Sequence, residues 1–372
     1  MKLYYITRVS LPSKAAQSVQ ILAMAEAFNQ TLGVDFRLIS GAGEQIENVK
    51  LNFSWKRIAI FYSYPKLRYL IFCAITFISL LMRPKSVLYT RDIMLALVAV
   101  LMGKTVGYEA HKMPVGKVAQ WIFRYVAKFR CFRLVCISEA LSFAYIEKYS
   151  LSALTVLTAH DGVFPEQYPT HSEVERIGIR RQLGLPLDKI LILHTGSLYK
   201  GGTEIFKRVA KHGGDDVIFV HVGGSENECE NLRLDFVRSN IQNIMLVPHR
   251  NRDMVRKYQQ SADVLLYVNL RSSPIYWCTS PLKLFEYMAT SVPMVASSVG
   301  SVAEVINNEN AFCFDPDVDG SVESAFDMCR LDPVVAERRA RKARSDVLAS
   351  YTWQRRAEKI VNFFESGKKF DE

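Results

Sequence analysis

No Cys-x-x-Cys pair occurs in this 372-residue chain. Its seven cysteines, at 73, 131, 136, 229, 278, 313 and 329, are an odd number with no histidine or cysteine neighbour at ligand spacing. Such scattered thiols predict reduced cysteines, a cytosolic compartment and no structural zinc. Long hydrophobic runs are missing as well. The longest uncharged stretch, Tyr69–Met82, has 14 residues, whereas a bilayer span needs about 20. The apolar run at the N-terminus, Leu3-Tyr4-Tyr5-Ile6, is too short for a signal-peptide core. Neither a transmembrane helix nor a leader is expected. No internal repeat or low-complexity tract is evident, and 49% of residues are hydrophobic against 23% charged. That mixture excludes a disordered chain, a fibrous repeat and a disulfide-stapled module, and the length predicts two domains.

Acidic residues are scarce in one long window. From Lys50 to Arg133 there are 15 Lys/Arg and only two acids, Asp92 and Glu109. The window therefore carries +13, and the rest of a chain of net charge +10 carries −3. It also holds the apolar run 69–82 and the aromatic segment Trp121-Ile122-Phe123-Arg124-Tyr125. Cations interleaved with apolar and aromatic side chains suit an anionic membrane surface. A buried helix flanked by solvated Lys and Arg fits the same residues. With no nucleic-acid-binding motif present, no nucleic-acid partner is expected.

Short β-branched and aromatic runs alternate with segments of helical periodicity. Strands are predicted at 3–7, 34–40, 86–91, 105–111, 134–138 and 155–160, then at 190–196, 217–224, 244–250, 264–270, 293–298 and 311–315. The clearest helices are Ala15–Gln30, Lys66–Met82, Asp253–Ala262 and Leu282–Thr290. Such alternation means parallel sheets covered on both faces, so the expected class is α/β with two doubly wound, Rossmann-like domains facing across a cleft. The expected division is 1–165, 166–350 and a C-terminal helix, 351–372, returning to the first domain. Ligands in such sheets sit beyond the carboxyl ends of the strands.

The strongest chemical signal is Cys278-Thr279-Ser280-Pro281-Leu282-Lys283-Leu284-Phe285-Glu286-Tyr287-Met288-Ala289, followed by Val292-Pro293-Met294-Val295-Ala296. Ser280-Pro281 reads as a helix start, with Ser280 as N-cap and Pro281 as first helical residue. The positive helix end and its N–H groups suit a phosphate. Glu286, less than two turns further in, suits two ribose hydroxyls. A capped amphipathic helix whose glutamate pairs with a neighbour fits the same residues.

This run resembles the donor-nucleotide motif of the group 1 glycosyltransferases, family 4, of GT-B fold, in the branch with Ser-Pro-x-Lys-x-x-Glu. Gly196-Ser197-Leu198-Tyr199-Lys200-Gly201-Gly202 is similar to the family's phosphate loop. Val222-Gly223-Gly224, Ser261-Ala262-Asp263-Val264, Tyr89-Thr90-Arg91, Tyr108-Glu109-Ala110-His111, Ile137-Ser138-Glu139-Ala140-Leu141 and Asp161-Gly162-Val163 follow the family's order. The resemblance implies a retaining hexosyltransferase-type enzyme. It would move a sugar from a nucleotide diphosphate-sugar to a lipid-linked or glycan acceptor, in surface polysaccharide or lipopolysaccharide assembly at the inner membrane face. It implies no cofactor and no metal. Glu286 would hold the ribose. Ser280, next to Pro281, would hold the diphosphate with the N–H groups of Leu282 and Lys283, near Gly196, Ser197 and Lys200. His249 and Arg250 would line the base pocket, and His111 would act on the donor sugar.

Two positions depart from the pattern. Cys278 stands where the family often has a first glutamate that touches the sugar, and Ser197 stands where its phosphate loop usually carries arginine. These departures support an alternative, a catalytically inactive partner or binding protein of the same fold.

Overall fold

The computed structural model describes residues 1–13, 15–42, 52–59, 64–81, 86–197 and 202–368. Two compact units divide the chain: Met1–Asp161 with Trp353–Glu372, and Gly162–Thr352.

The first unit runs β1 (Lys2–Leu11), α1 (Ala16–Gln30), β2 (Asp35–Ala42), β3 (Ser54–Ile58), α2 (Pro65–Leu81), β4 (Val87–Thr90), α3 (Ile93–Leu101), β5 (Val106–Ala110), α4 (Lys117–Val126), β6 (Phe132–Cys136), α5 (Glu139–Tyr149) and β7 (Val156–Thr158). Its sheet is parallel, in the order β3-β2-β1-β4-β5-β6-β7. Leu3, Tyr5, Ile6, Leu88, Tyr89 and Leu134 are fully buried, because strands covered on both faces need apolar side chains in both directions. The strand β3 is absent from the sequence reading. It is an edge strand of composition Ser-Trp-Lys-Arg-Ile whose side chains are mostly exposed, so neither an apolar run nor an alternation marks it.

The second unit runs α6 (Glu173–Leu183), β8 (Ile190–Thr195), α7 (Thr203–Gly213), β9 (Val217–Val222), α8 (Glu226–Arg238), β10 (Ile244–Val247), α9 (Arg252–Ser261), β11 (Val264–Tyr267), α10 (Leu282–Ala289), β12 (Met294–Ser297), β13 (Phe312–Phe314), α11 (Ser321–Leu331) and α12 (Pro333–Ser350). Its parallel sheet has the order β10-β9-β8-β11-β12-β13. Strand β8 splits its side chains between two cores. Leu191 and Leu193 join the cluster containing Tyr258, Leu284, Phe285 and Val347, and Ile192 joins the cluster containing Phe206, Phe219 and Phe326. Serine N-caps with reciprocal Glu175 and Glu228 bonds start α6 and α8. Asp263 locks the strand edge to α6, accepting from Arg176 (2.5 Å), Arg180 (2.6 Å) and the Leu191 N–H (2.8 Å).

The last helix, α13 (Trp353–Lys368), belongs to the first unit and packs on α1. Gly107 of β5 admits it: a Cβ there would lie 2.3 Å from Cζ of Phe364. Among the described residues, no helix is long and apolar enough to cross a membrane. All seven cysteines are free thiols.

Candidate active site

The carboxyl ends of β8 and β9 carry the same pattern, His194-Thr195-Gly196 and His221-Val222-Gly223, and pair in register. Gly196 (φ 124°) and Gly223 (φ 144°) are in a region that favours glycine. A Cβ on Gly223 would lie 2.0 Å from the Gly196 carbonyl oxygen, so the two backbones touch only because no side chain intervenes. Gly196 is exposed and Ser197 half-buried. Lys200, the cation expected in this loop, lies outside the described residues. After β10, His249 and Arg250 are exposed at the same end of the sheet, and the His249 N–H donates to the Gly224 carbonyl (2.9 Å).

The motif helix α10 begins one residue later than its sequence predicts. Pro281 is the N-cap, with φ −81° and ψ 125°, and Leu282 is the first helical residue. Ser280 is therefore not the cap; it is buried just outside the helix. Extended backbone at Pro281 fits the proline φ, and its carbonyl accepts from Leu284 N–H (3.0 Å). Leu282 and Lys283 still occupy the first turn, where N–H groups point out of the helix end.

Glu286 has partners on both oxygens. Arg252 Nη2 donates to Oε1 (2.7 Å) and Gln259 Nε2 to Oε2 (3.2 Å). Each carboxylate oxygen has two lone pairs, so capacity remains for further donors. Gln259 also reaches Thr195 Oγ1 (3.4 Å), and the Thr195 N–H donates to the buried Tyr287 hydroxyl (2.8 Å), tying α10 to the end of β8. Lys283 donates to His194 Nε2 (3.0 Å), and its Nζ would be 3.1 Å from a Cβ on Gly196. Cys278 is 1% exposed, and burial with the nearby Glu304 charge pushes its thiol up to about 11, so it stays protonated. The structure thus brings Gly196, Lys283, Leu282 and Glu286 together at one sheet end. Sequence reasoning missed Arg252, Gln259, His194 and His221; only the repeated His-x-Gly pattern carried a signal.

The first unit has its own polar centre, at the end of β5. His111 Nε2 lies 2.5 Å from Glu109 Oε1. The buried Arg356 of α13 lies 3.4 Å from the same oxygen and 3.8 Å from Asp161 Oδ1. Gln20 donates to Asp161 (2.5 Å) and accepts from Arg91 (2.6 Å). Burial opposes ionisation of Glu109, but Arg356 and the His111 hydrogen bond overcome it and hold the carboxyl well below its usual range. Burial, with Arg91 adding to it, lowers His111 to about 4, and burial raises Asp161 to about 6. An ionised Glu109 can only accept, so neutral His111 carries its proton on Nε2 and keeps Nδ1 as an acceptor. Arg356, at the far end of the chain, was invisible to the sequence reading.

The sequence carries an Asp-x-Asp run after β13, Asp315-Pro316-Asp317-Val318-Asp319. Its first two carboxylates are held by one arginine. Arg271 donates to Asp315 (2.5 and 2.8 Å) and to Asp317 (2.6 Å).

Residues 190–330 match the family described as Glycosyl transferases group 1. An uncharacterized glycosyltransferase of Methanocaldococcus jannaschii is 24% identical over 249 residues, 65% of this chain and 62% of that protein, so the match spans less than two thirds of its length. The solved structure of Anabaena HepE in complex with UDP superposes with TM-score 0.77 at 15% identity, covering 98% of this chain and 100% of that one. The sucrose-phosphate synthase of Thermosynechococcus elongatus superposes with TM-score 0.75 at 16% identity, covering 98% of each chain. Two parallel Rossmann-like sheets and these superpositions give the chain a GT-B fold, within which residues 190–330 match the group 1 glycosyltransferases.

Proposed function

We propose that the protein is a metal-independent, retaining glycosyltransferase of family 4, in the Ser-Pro-x-Lys-x-x-Glu branch, that takes its sugar from a nucleoside diphosphate-sugar. The observation that carries this reading is the helix α10, which sets Lys283 beside Gly196, where that glycine touches Gly223, and holds Glu286 on Arg252 and Gln259 three residues further on. Glu286 accepts from the ribose hydroxyls. The first-turn N–H groups of α10 and the Lys283 ammonium take the negative charge that develops on the diphosphate as the bond to the sugar breaks. His249 and Arg250 are at the base end. His111 is the catalytic group, with Glu109 holding its Nε2 proton. UDP is the first nucleotide to test, because HepE was solved with it.

The acceptor is proposed to be lipid-linked and met at an anionic membrane surface on the cytoplasmic side, in surface polysaccharide or lipopolysaccharide assembly. Along α2, Phe72, Thr76 and Leu80 are buried, while Leu67, Leu70, Phe77, Ile78 and Leu81 face outward. Helix α3 packs against both α2 and α4, and α4 exposes Val118 and Trp121. An outward apolar stripe beside an aromatic one, within the basic window, suits a headgroup layer.

Thermal-shift screening against UDP, GDP, ADP, CMP and their sugars tests the donor. A ligand at 100 times its Kd adds about 2.7 kcal/mol. Binding of none of them sinks the proposal. The buried, neutral Cys278 favours a second reading, a binding protein without activity. That reading requires neither transfer nor donor hydrolysis with any donor that binds.

A further inference from the structure

We propose that His194 and His221 are positioning residues for the donor diphosphate: an uncharged two-histidine relay beneath the sheet end that fixes the Lys283 ammonium. This rests on the donor-site reading above and adds to it how the cation is set.

The two imidazoles are buried side by side, 4% and 0% exposed, with ring centroids 5.1 Å apart and planes inclined by 16°. Their Nδ1 atoms are 3.0 Å apart, and His194 Nε2 is 3.0 Å from Lys283 Nζ. These distances determine the protons. An ammonium only donates, so His194 Nε2 accepts. The remaining proton of neutral His194 is then on Nδ1, donated to Nδ1 of His221, and the proton of His221 is on Nε2. That Nε2 is buried and has no hydrogen-bond partner. A buried N–H without a well-formed hydrogen bond is unfavourable, and a purely packing role would avoid it with an apolar ring. Phe206 packs against both rings, tilted on His194 (4.5 Å) and stacked on His221 (5.9 Å), so the surroundings are aromatic.

Both histidines stay neutral. Burial and the Lys283 charge lower His194 well below its usual value, and the same two causes lower His221 to about 4. A carboxylate at position 194 would hold the lysine as firmly but would cancel its charge. A neutral acceptor orients the ammonium and leaves its positive field intact for a polyanion. Lys283 reaches the sheet end from α10, beside Gly196.

The test is calorimetry with UDP, GDP and ADP and the matching monophosphates, on wild type, His194→Phe, Lys283→Met and the double variant. For the nucleotide that binds, each single substitution is expected to weaken the diphosphate about tenfold and the monophosphate less than threefold. The double variant is expected to be no weaker than Lys283→Met, because His194 acts through the lysine. His221→Phe, read in the same way, serves if His194→Phe does not fold. Wild-type diphosphate affinity in His194→Phe overturns the relay, as do equal losses for both phosphates or additive effects with Lys283→Met. A wild type that binds no nucleotide overturns the donor site and the relay together, whereas a wild type that binds while the variants match it overturns the relay alone.

Discussion

Replacing Glu286 by alanine separates binding from folding, because the structure assigns each a different size. In the free protein the carboxylate makes two bonds. Its partner Arg252 is 47% exposed, so that pair contributes about 0–1 kcal/mol. Gln259 is fully buried but keeps Thr195 Oγ1 at 3.4 Å, so losing its second bond costs about 1 kcal/mol. Together these come to about 1–2 kcal/mol, and for a domain of this size each kcal/mol lowers Tm by about 2–4 °C. Under the proposed ribose role, the variant also loses, in the donor complex, hydrogen bonds to a charged acceptor, about 1.5–3 kcal/mol. The Kd should therefore rise roughly 10- to 150-fold. Calorimetric titration gives the Kd and differential scanning gives the Tm. Wild-type Kd at a nearly unchanged Tm refutes the ribose role. A fall in Tm beyond about 10 °C shows that Glu286 is chiefly a structural tie.

His111→Ala should lower turnover more than donor affinity, since its proposed partner is the reacting sugar and not the nucleotide; near wild-type turnover would move catalysis elsewhere. The depressed histidines make the second unit acid-sensitive. Their stabilisation is complete above the unfolded value near 6.5 and is lost as pH falls towards 4, a loss of roughly 2–3 kcal/mol for His221. Asp161, raised to about 6, acts oppositely in the first unit, gaining stability as pH falls through that value, and cancels in a comparison of variants. Urea unfolding at pH 7 and pH 4.5 should show a smaller acid loss in the His194→Phe/His221→Phe double variant; identical slopes would refute the assignment. Serine at Leu70, Phe77 and Ile78, all exposed, should release the protein from anionic liposomes without changing Tm, and undiminished flotation would show that the stripe does not face the bilayer.

The strands were legible because a parallel sheet covered on both faces demands continuous apolar runs, and Leu3-Tyr4-Tyr5-Ile6 and Ile190-Leu191-Ile192-Leu193 are such runs. The exception, β3, fails the rule for a physical reason: an edge strand with one neighbour can be mostly polar. The motif helix was legible from local chemistry, and the error of one residue at its cap came from reading serine by preference where proline already had the required extended backbone. What local chemistry cannot encode is who meets whom. Arg252 comes to Glu286 from 34 residues away, and Gln259 from 27. Arg356 reaches Glu109 only because α13 returns to the first unit.

The charge asymmetry gains meaning from where its two acids go. Asp92 caps α3 through the Met94 N–H (3.0 Å), pairs with Arg8 (2.9 Å) and accepts from the Tyr69 hydroxyl (2.5 Å). Glu109 is committed to His111 and Arg356, and its side chain is 1% exposed. Both carboxylates of the basic window are therefore spent on internal structure. The basic side chains that reach solvent there, Arg68, Lys117 and Arg124 among them, have no exposed acid from the same window beside them. At physiological salt a charge is felt over about 8 Å, so cations clustered in one window with so few acids reinforce one another's field. The outward residues of α2 and α4 belong to the same basic window. An exposed apolar stripe costs solubility and a one-signed patch costs self-repulsion. Under the proposed function, their coincidence fits contact with a phospholipid headgroup layer, which is both apolar and anionic.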